Sequence, residues 1–117
     1  MKFVHRDIKP DNIIVSKECP NEIVLIDFGL STKYIDEATG KHVEQQKKGI
    51  FCGNLMFASI SALQGRTSSR RDDIEATMYL LTFWLNKHKL PWSKYLSRSE
   101  VNSKTFDPMD VIRARLK

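Results

Sequence analysis

The stretch His5-Arg6-Asp7-Ile8-Lys9-Pro10-Asp11-Asn12 decides the fold prediction for this chain. Within six positions it holds a carboxylate at Asp7, an ammonium at Lys9 and a carboxamide at Asn12. Pro10 disfavours a continuing helix. We therefore expect a loop in which these polar groups converge.

Two runs rich in β-branched residues follow this loop, Ile13-Ile14-Val15 and Ile23-Val24-Leu25-Ile26. The residues between them, 16–21, have the composition of a turn, so the two runs predict a β-hairpin. Asp27-Phe28-Gly29 leaves the second strand, which brings a further carboxylate beside the first cluster. Oxygen ligands of this kind suit Mg²⁺, which usually binds one or two carboxylates together with substrate phosphates.

Length and composition limit the class of protein. The chain has 117 residues, which allows one domain with a modest core, and its 41% hydrophobic and 28% charged residues are typical of globular proteins. The longest mainly apolar stretch, Met78 to Leu85, is too short to cross a bilayer, and no secretory signal precedes it. We expect a protein of the cytoplasm or nucleus that makes no membrane contact. Cys19 and Cys52 could pair, but free thiols in a reducing compartment are the favoured interpretation.

Two helices are predicted in the second half of the chain. Residues 27–69 lack any period, which in a compact domain indicates a functional loop or a misread segment. A helix is expected from about Arg71, since three carboxylates in its first turn suit the helix dipole, and Leu90-Pro91-Trp92 is expected to end it. Because its apolar residues lie on all sides, this helix needs neighbours on every side, and we expect the isolated chain to expose apolar surface there that favours aggregation.

A last helix is predicted to begin at Pro108, with Asp107 as its N-cap. A polar link over residues 93–105 precedes it. Arg115 is among the basic residues expected to complement its C-terminal dipole. Its apolar stripe is predicted to consist of Met109, Ile112 and Leu116.

Residues 5–12 and 27–29 resemble the catalytic-loop and D-F-G signatures of protein kinases, in spacing and flanking strands as well as in letters. Lys9, two residues after Asp7, resembles the serine/threonine class. Three further segments are similar to the casein kinase I group: Phe57-Ala58-Ser59-Ile60-Ser61, Ser69-Arg70-Arg71-Asp72-Asp73-Ile74-Glu75 and Leu90-Pro91-Trp92.

The resemblance implies an α+β fold, in which residues 1–117 form a partial protein kinase domain. It would be the C-terminal lobe only, mostly helical, with a small β-hairpin beside the catalytic loop. The complete enzyme would transfer the γ-phosphate of ATP to a serine or threonine hydroxyl of a protein substrate, with Mg²⁺. No glycine-rich loop or strand lysine stands among the 117 residues, so the isolated chain is expected to be inactive.

The resemblance also assigns roles to residues. Asp7 would accept or orient the substrate hydroxyl proton, and Lys9 would neutralise charge on the transferring phosphate. Asn12 and Asp27 would hold the Mg²⁺ ions, so that Lys9, Asn12 and Asp27 together bind the metal–nucleotide complex.

Five residues are expected to support this site: His5, Arg6, Phe28, Gly29 and Asp73. His5 would pack near Phe28, and Gly29 would give the backbone freedom to place the preceding carboxylate. Asp73 would accept hydrogen bonds from the backbone around His5 and Arg6. In the family, the residue at the position of Arg6 often meets activation-loop anions.

One departure from the casein kinase I pattern concerns substrate choice. Met56 stands where the group carries a phosphate-binding arginine, and a neighbouring lysine of that site falls at Gly49, with Lys47 and Lys48 as nearby substitutes. A methionine cannot make the bidentate contact of an arginine to phosphate. We therefore expect the preference for already phosphorylated substrates to differ from that of the group.

Two other function classes remain open. A truncated, non-catalytic kinase could bind partners or act as a decoy, although a pure scaffold has no chemical need for the full catalytic set. A small nucleic-acid binder rests on the net charge of +5 and on pairs such as Lys47-Lys48 and Arg70-Arg71. Such pairs are usually a solvated face, so nucleic-acid binding is disfavoured. The sequence predicts no oligomeric state.

Overall fold

The computed structural model describes residues 2–47, 49, 51–96 and 108–116. Its strands are β1 (Phe3–Val4), β2 (Ile13–Val15), β3 (Ile23–Leu25) and β4 (Thr32–Lys33). Its α-helices are α1 (Ile60–Leu63), α2 (Arg70–Leu85) and α3 (Pro108–Arg115), and short 3₁₀ turns cover Pro10–Asn12, Phe28–Leu30 and Ser93–Leu96. This mixture agrees with the predicted α+β class. The expectation of a mostly helical chain is wrong, because most of the described residues lie outside helices and strands.

Two antiparallel strand pairs bring the polar segments together. The predicted hairpin is confirmed: β2 pairs with β3 in a register that sets Ile13 opposite Leu25. The N–H of Ile26 donates to the carbonyl of Asn12 at 2.9 Å, which continues the pairing past the strand ends. β1 pairs with β4, so the chain before the 5–12 loop is also joined to the chain after residues 27–30.

The long aperiodic region is largely irregular, as the sequence indicated, but it is not without structure. It contains β4, α1 and two isolated bridges, Ile35 to His42 and Lys47 to Arg66. Ser59 is the N-cap of α1, and its Oγ accepts a hydrogen bond from the N–H of Ala62 at 3.0 Å.

Helix α2 starts close to the predicted position but ends sooner than expected. At its start the N–H of Ser69 donates to Asp72 Oδ2 at 2.6 Å, which caps the helix. It ends at Leu85, before the predicted stop at residues 90–92. Lys87 and His88 have φ values of 52° and 59°, in the left-handed region, and this backbone turn ends the helix before the proline is reached.

The described residues cover α2 on one face only, and the predicted exposure of apolar surface is present. Ala76 and Leu80 face the core, and Leu80 is 1% exposed. The opposite face is open, with Leu85 88% exposed. This open face consists of Ile74, Met78, Leu81 and Leu85. Among the described residues, α2 and the other helices are too short or too polar to cross a membrane.

The core joins α2 to the segments on either side of it. One cluster consists of Phe57, Leu80, Leu90, Trp92 and Val111, and a second of Ala58, Leu63 and Ile112. Helix α3 therefore packs through Val111 and Ile112. The predicted stripe is wrong at Met109 and Leu116, which are exposed. The predicted N-cap Asp107, and the predicted polar link from residue 97 on, lie outside the described residues.

Glutamine at both Met78 and Leu85 is expected to reduce self-association of the purified chain without loss of helix, because both side chains lie on the open face of α2. Light scattering and far-ultraviolet circular dichroism over a concentration series measure the two properties. Leu80→Ala is the contrasting change, since truncating a buried leucine costs about 2–5 kcal/mol in urea unfolding. Unchanged scattering in the double variant would contradict this account of the surface.

Candidate active site

Asp7 is the centre of the polar loop and is 7% exposed. Lys9 Nζ donates to Asp7 Oδ2 at 2.7 Å, and Asn12 Nδ2 donates both to Oδ2 at 3.1 Å and to the Asp7 carbonyl at 2.8 Å. The other carboxylate oxygen, Oδ1, is buried and accepts no hydrogen bond from any residue that the structure describes. Buried carboxylate oxygens are normally hydrogen-bonded. Oδ1 is an exception and is therefore an unused acceptor at the centre of the loop.

Asp27 follows β3 in the chain, and its backbone is strained. Its φ and ψ are 62° and 74°, in the left-handed region, and its Oδ1 accepts a hydrogen bond from the N–H of Gly29 at 3.2 Å. The role predicted for Gly29 needs correction, because Gly29 is not among the residues with positive φ. It provides space instead, since an added Cβ would lie 3.1 Å from Asp27 Oδ1.

The carboxylates around Lys9 raise its pKa. The hydrogen bond to Asp7 raises the pKa of Lys9 above its ordinary value of 10.5, partial burial opposes the rise, and the charges of Asp7, Asp11 and Asp27 add to it. The ammonium therefore stays protonated at neutral pH. The structure thus brings Asp7, Lys9 and Asn12 into direct contact and sets Asp27 within electrostatic reach of Lys9.

Asp73 fixes the start of the loop. Its Oδ2 accepts a hydrogen bond from the N–H of His5 at 2.6 Å, and its Oδ1 accepts one from the N–H of Arg6 at 2.9 Å. Both predicted contacts are present. Because the carboxylate belongs to the first turn of α2, it joins the loop directly to the longest helix of the fold.

The imidazole of His5 is buried and holds both polar segments. Its Nδ1 accepts a hydrogen bond from the N–H of Asp7 at 3.3 Å, so Nε2 carries the proton that binds the Ile26 carbonyl at 3.0 Å. Its ring meets Phe28 edge to face with centroids 4.9 Å apart, which is the packing predicted for these two residues.

Arg6 and Gly53 form a close backbone contact that the sequence did not reveal. Arg6 has a φ of 69°, and its Nε donates to the carbonyl of Leu30 at 2.5 Å. A Cβ added at Gly53 would lie 2.4 Å from the Arg6 carbonyl oxygen and 3.9 Å from Asp7 Oδ1, and Gly53 has a φ of 113°. Only glycine fits here. The backbone at Gly53 therefore forms a wall beside the unused oxygen of Asp7.

Two further carboxylates, Asp72 and Glu75, bind Ser59 and Ile60, which follow the Gly53 wall in the chain. The sequence indicated only a helix-dipole role for both carboxylates. Asp72 Oδ1 accepts a hydrogen bond from the buried Ser59 hydroxyl at 2.5 Å. Glu75 Oε1 accepts hydrogen bonds from the N–H of Ile60 at 3.1 Å and from the hydroxyl of Tyr79 at 2.7 Å. The four-residue spacing of Glu75 and Tyr79 was the available signal, because such pairs face each other on a helix.

Met56 occupies the position of the expected phosphate-binding arginine and is bound to Trp92 and Ser93. Met56 Sδ lies 3.6 Å from the Ser93 hydroxyl, and the Met56 carbonyl accepts a hydrogen bond from Trp92 Nε1 at 2.8 Å. Of the two proposed lysine substitutes, Lys47 pairs with Arg66 through an isolated backbone β-bridge, and Lys48 lies outside the described residues.

The donor set fits a hard divalent cation. Asn12 uses its Nδ2 to hold Asp7, which leaves its amide oxygen as the donor for a ligand. Asp27 contributes a carboxylate held by the Gly29 N–H. Amide and carboxylate oxygens are the ligands that Mg²⁺ takes alongside phosphate oxygens.

Comparisons with known proteins show the family of the chain. The family described as "Protein kinase domain" matches residues 1–114. The rice protein named casein kinase 1-like protein HD16 (Oryza sativa subsp. japonica) is 39% identical over 97 residues, which is 80% of this chain and 14% of the rice protein. The chain therefore spans a small part of the length of that curated relative.

The pKa of Lys9 is expected to fall when its carboxylate neighbours are removed singly. Asp7→Asn removes the hydrogen bond and the nearest charge and gives the largest fall, whereas Asp11→Asn and Asp27→Asn remove weaker charge effects. Titration of the Lys9 Nζ resonance by NMR in the alkaline range measures each. If Asp27→Asn leaves the pKa of Lys9 unchanged, Asp27 does not belong to this cluster.

Gly53→Ala is expected to lower the free energy of unfolding by more than Gly40→Ala. Both glycines have positive φ, and each substitution costs about 1 kcal/mol or more in backbone strain. Only at Gly53 would the new methyl group also meet a backbone oxygen, whereas nothing lies within 4 Å of a Cβ at Gly40. Chemical denaturation compares the pair, and equal losses would contradict the close contact with Arg6.

Proposed function

The chain belongs to the protein kinase family, and on that premise we propose that it carries the catalytic loop of a casein kinase 1-like serine/threonine kinase. The complete enzyme would transfer the γ-phosphate of ATP to a serine or threonine hydroxyl of a protein substrate and would use Mg²⁺. Protein substrates follow from the family, and the presence of Lys9 two residues after Asp7 supports the serine/threonine class.

The observation that carries this proposal is the state of the Asp7 carboxylate. One of its oxygens is held by Lys9 and Asn12, and the other is a buried acceptor that no described residue uses. Such a carboxylate is oriented in advance and has one oxygen left to receive the proton of an incoming hydroxyl. Most buried carboxylate oxygens with a structural role are hydrogen-bonded.

The roles proposed for the neighbouring residues follow from charge and position. Lys9 stays protonated, so its ammonium can oppose the negative charge that spreads over the transferring phosphoryl group. Asn12 and Asp27 would hold Mg²⁺, which would neutralise negative charge on the nucleotide phosphates. The protein groups need only position and stabilise, because phosphoryl transfer needs little covalent work from the enzyme.

We also propose that the 117 residues form part of the C-terminal lobe and that they do not transfer phosphate by themselves. The glycine-rich loop and the strand lysine that cover and pair with the nucleotide phosphates in protein kinases are not among these residues. A nucleotide bound to the loop alone would keep much of its surface in water, and its affinity would be low.

A second candidate function is that of a non-catalytic, partner-binding kinase segment. The open apolar face of α2, defined above, supports it, because exposed apolar patches often mark protein contact sites. The complete set of Asp7, Lys9, Asn12 and Asp27 favours the catalytic proposal, since docking through α2 does not require it.

A chimera in which this chain replaces the matching segment of the rice casein kinase 1-like protein tests the catalytic proposal. With Mg²⁺ and ATP, the chimera is expected to phosphorylate serine- and threonine-containing peptides, whereas the isolated chain is not. Asp7→Asn is expected to lower kcat at least about 100-fold, as loss of a positioned general base does.

Asp11→Asn is the matched control, because it removes the same charge from the same loop at an exposed position. It is expected to retain most of the activity. A chimera that is folded yet inactive, while the parent rice protein is active, would contradict the catalytic proposal and favour the partner-binding one.

A further inference from the structure

Arg115 lies between two aromatic rings in the core. Its side chain is 1% exposed, and its guanidinium carbon is 4.4 Å from the ring centroid of Tyr79 and 4.4 Å from that of Trp92. The two rings meet edge to face with centroids 5.1 Å apart. A cation held against two ring faces and removed from water gains more from this attraction than an exposed one does. The sequence had predicted only a dipole contact for this residue.

The same guanidinium also acts on Glu75. Arg115 Nη2 lies 3.9 Å from Glu75 Oε1, which is too long for a hydrogen bond but close enough for Coulombic attraction. That oxygen accepts the hydrogen bonds of the Ile60 N–H and the Tyr79 hydroxyl. Burial, and then the hydrogen bond to Glu75, raise the pKa of Tyr79, so the phenol remains a donor at neutral pH.

The residues around Arg115 fix two ends of one backbone segment. Glu75 holds the N–H of Ile60, and Trp92 Nε1 holds the carbonyl of Met56. This segment, residues 56–60, comes shortly after Gly53 in the chain. Gly53 forms the wall against Arg6 and beside Asp7. The oxygen donors of Asn12 and Asp27, by contrast, lie at the ends of the β2–β3 hairpin, and Arg115 contacts Glu75, Tyr79 and Trp92 instead.

We propose that Arg115 is a positioning residue for the substrate side of the active site. It holds Glu75, Tyr79 and Trp92 in the arrangement that fixes residues 56–60, and so keeps the wall beside Asp7 in place for the protein substrate. Its own contacts, to Glu75, Tyr79 and Trp92, do not include the metal–nucleotide residues Asn12 and Asp27. This inference rests on the proposed kinase function, but its structural part can be measured without activity.

Hydrogen exchange on the 117-residue chain and on the chimera tests the structural part. Arg115→Met removes the charge and keeps an apolar side chain of similar reach, so the Ile60 amide is expected to exchange about tenfold faster. The Ile26 amide, which donates to Asn12, is expected to keep its rate. Arg115→Lys is expected to restore protection in part, since an ammonium retains the attraction to the rings and to Glu75.

Arg113→Met is the matched control on the same helix, where the ion pair to Asp110 is exposed. It is expected to leave the Ile60 amide unchanged. Equal acceleration of the Ile60 and Ile26 amides in Arg115→Met would show general destabilisation and would overturn the proposal. So would an unchanged Ile60 amide.

Kinetics of the chimera test the substrate part. Arg115→Met is expected to raise the KM for peptide about tenfold, with the KM for ATP unchanged and Arg115→Lys intermediate. If the chimera phosphorylates peptide and Arg115→Met raises both KM values or neither, this inference fails and the proposed function stands. If the folded chimera does not phosphorylate at all, the proposed function fails, and the exchange pattern alone decides whether Arg115 fixes residues 56–60.

Discussion

The carboxylate of Asp73 is the constraint on which the site depends. It accepts hydrogen bonds from two consecutive backbone N–H groups, those of His5 and Arg6, at 2.6 and 2.9 Å. Arg6 takes a left-handed conformation, which costs a non-glycine residue about 1–2 kcal/mol. Hydrogen bonds to a charged acceptor are worth about 1.5–3 kcal/mol each, so the pair outweighs this cost. The loop is therefore held to the first turn of α2.

This anchoring explains how a short loop can present oriented charges. Beyond Arg6 the chain turns so that Asp7 is buried, with Lys9 and Asn12 on one of its oxygens. Asp27 also has a left-handed backbone conformation. The residue before it, Ile26, is held by the hairpin and by the imidazole of His5, which donates to the Ile26 carbonyl. Strained residues gather where function needs fixed groups, because the surrounding structure can hold them there. The reorganisation that charge transfer would otherwise require is thereby reduced.

The sequence predicted the local features of this arrangement and, through the family resemblance, the contacts of Asp73 with His5 and Arg6, but it did not predict the other long-range contacts. The hairpin followed from β-branched runs around a turn, and the loop from the spacing of Asp7, Lys9 and Asn12, since both patterns are set by neighbours along the chain. The end of α2 was misplaced because non-glycine residues, Lys87 and His88, turn left-handed there. Propensity does not show this.

The remaining misses have one physical cause, which is that burial depends on what packs from afar. Met109 and Leu116 were expected in the apolar stripe and are exposed, whereas Arg115 was expected at a helix end and lies against Tyr79 and Trp92. The contact of Gly53 with Arg6 likewise joins residues distant in sequence. Motif spacing specified the chemical groups of the site but not the parts of the fold that hold them.

The most direct test of the account is paramagnetic broadening of the 117-residue chain by Mn²⁺ together with ATP, measured by NMR. Mn²⁺ takes the oxygen ligands expected for Mg²⁺. The account predicts selective broadening of the Asn12 side-chain amide and of the Asp27 and Gly29 backbone amides, with the Thr39 amide beside Asp36 unaffected. Equal broadening at the Thr39 amide, or none at Asn12 and Asp27 at Mn²⁺ and ATP concentrations high enough to fill a weak site, would contradict the claim that these residues form a metal–nucleotide site.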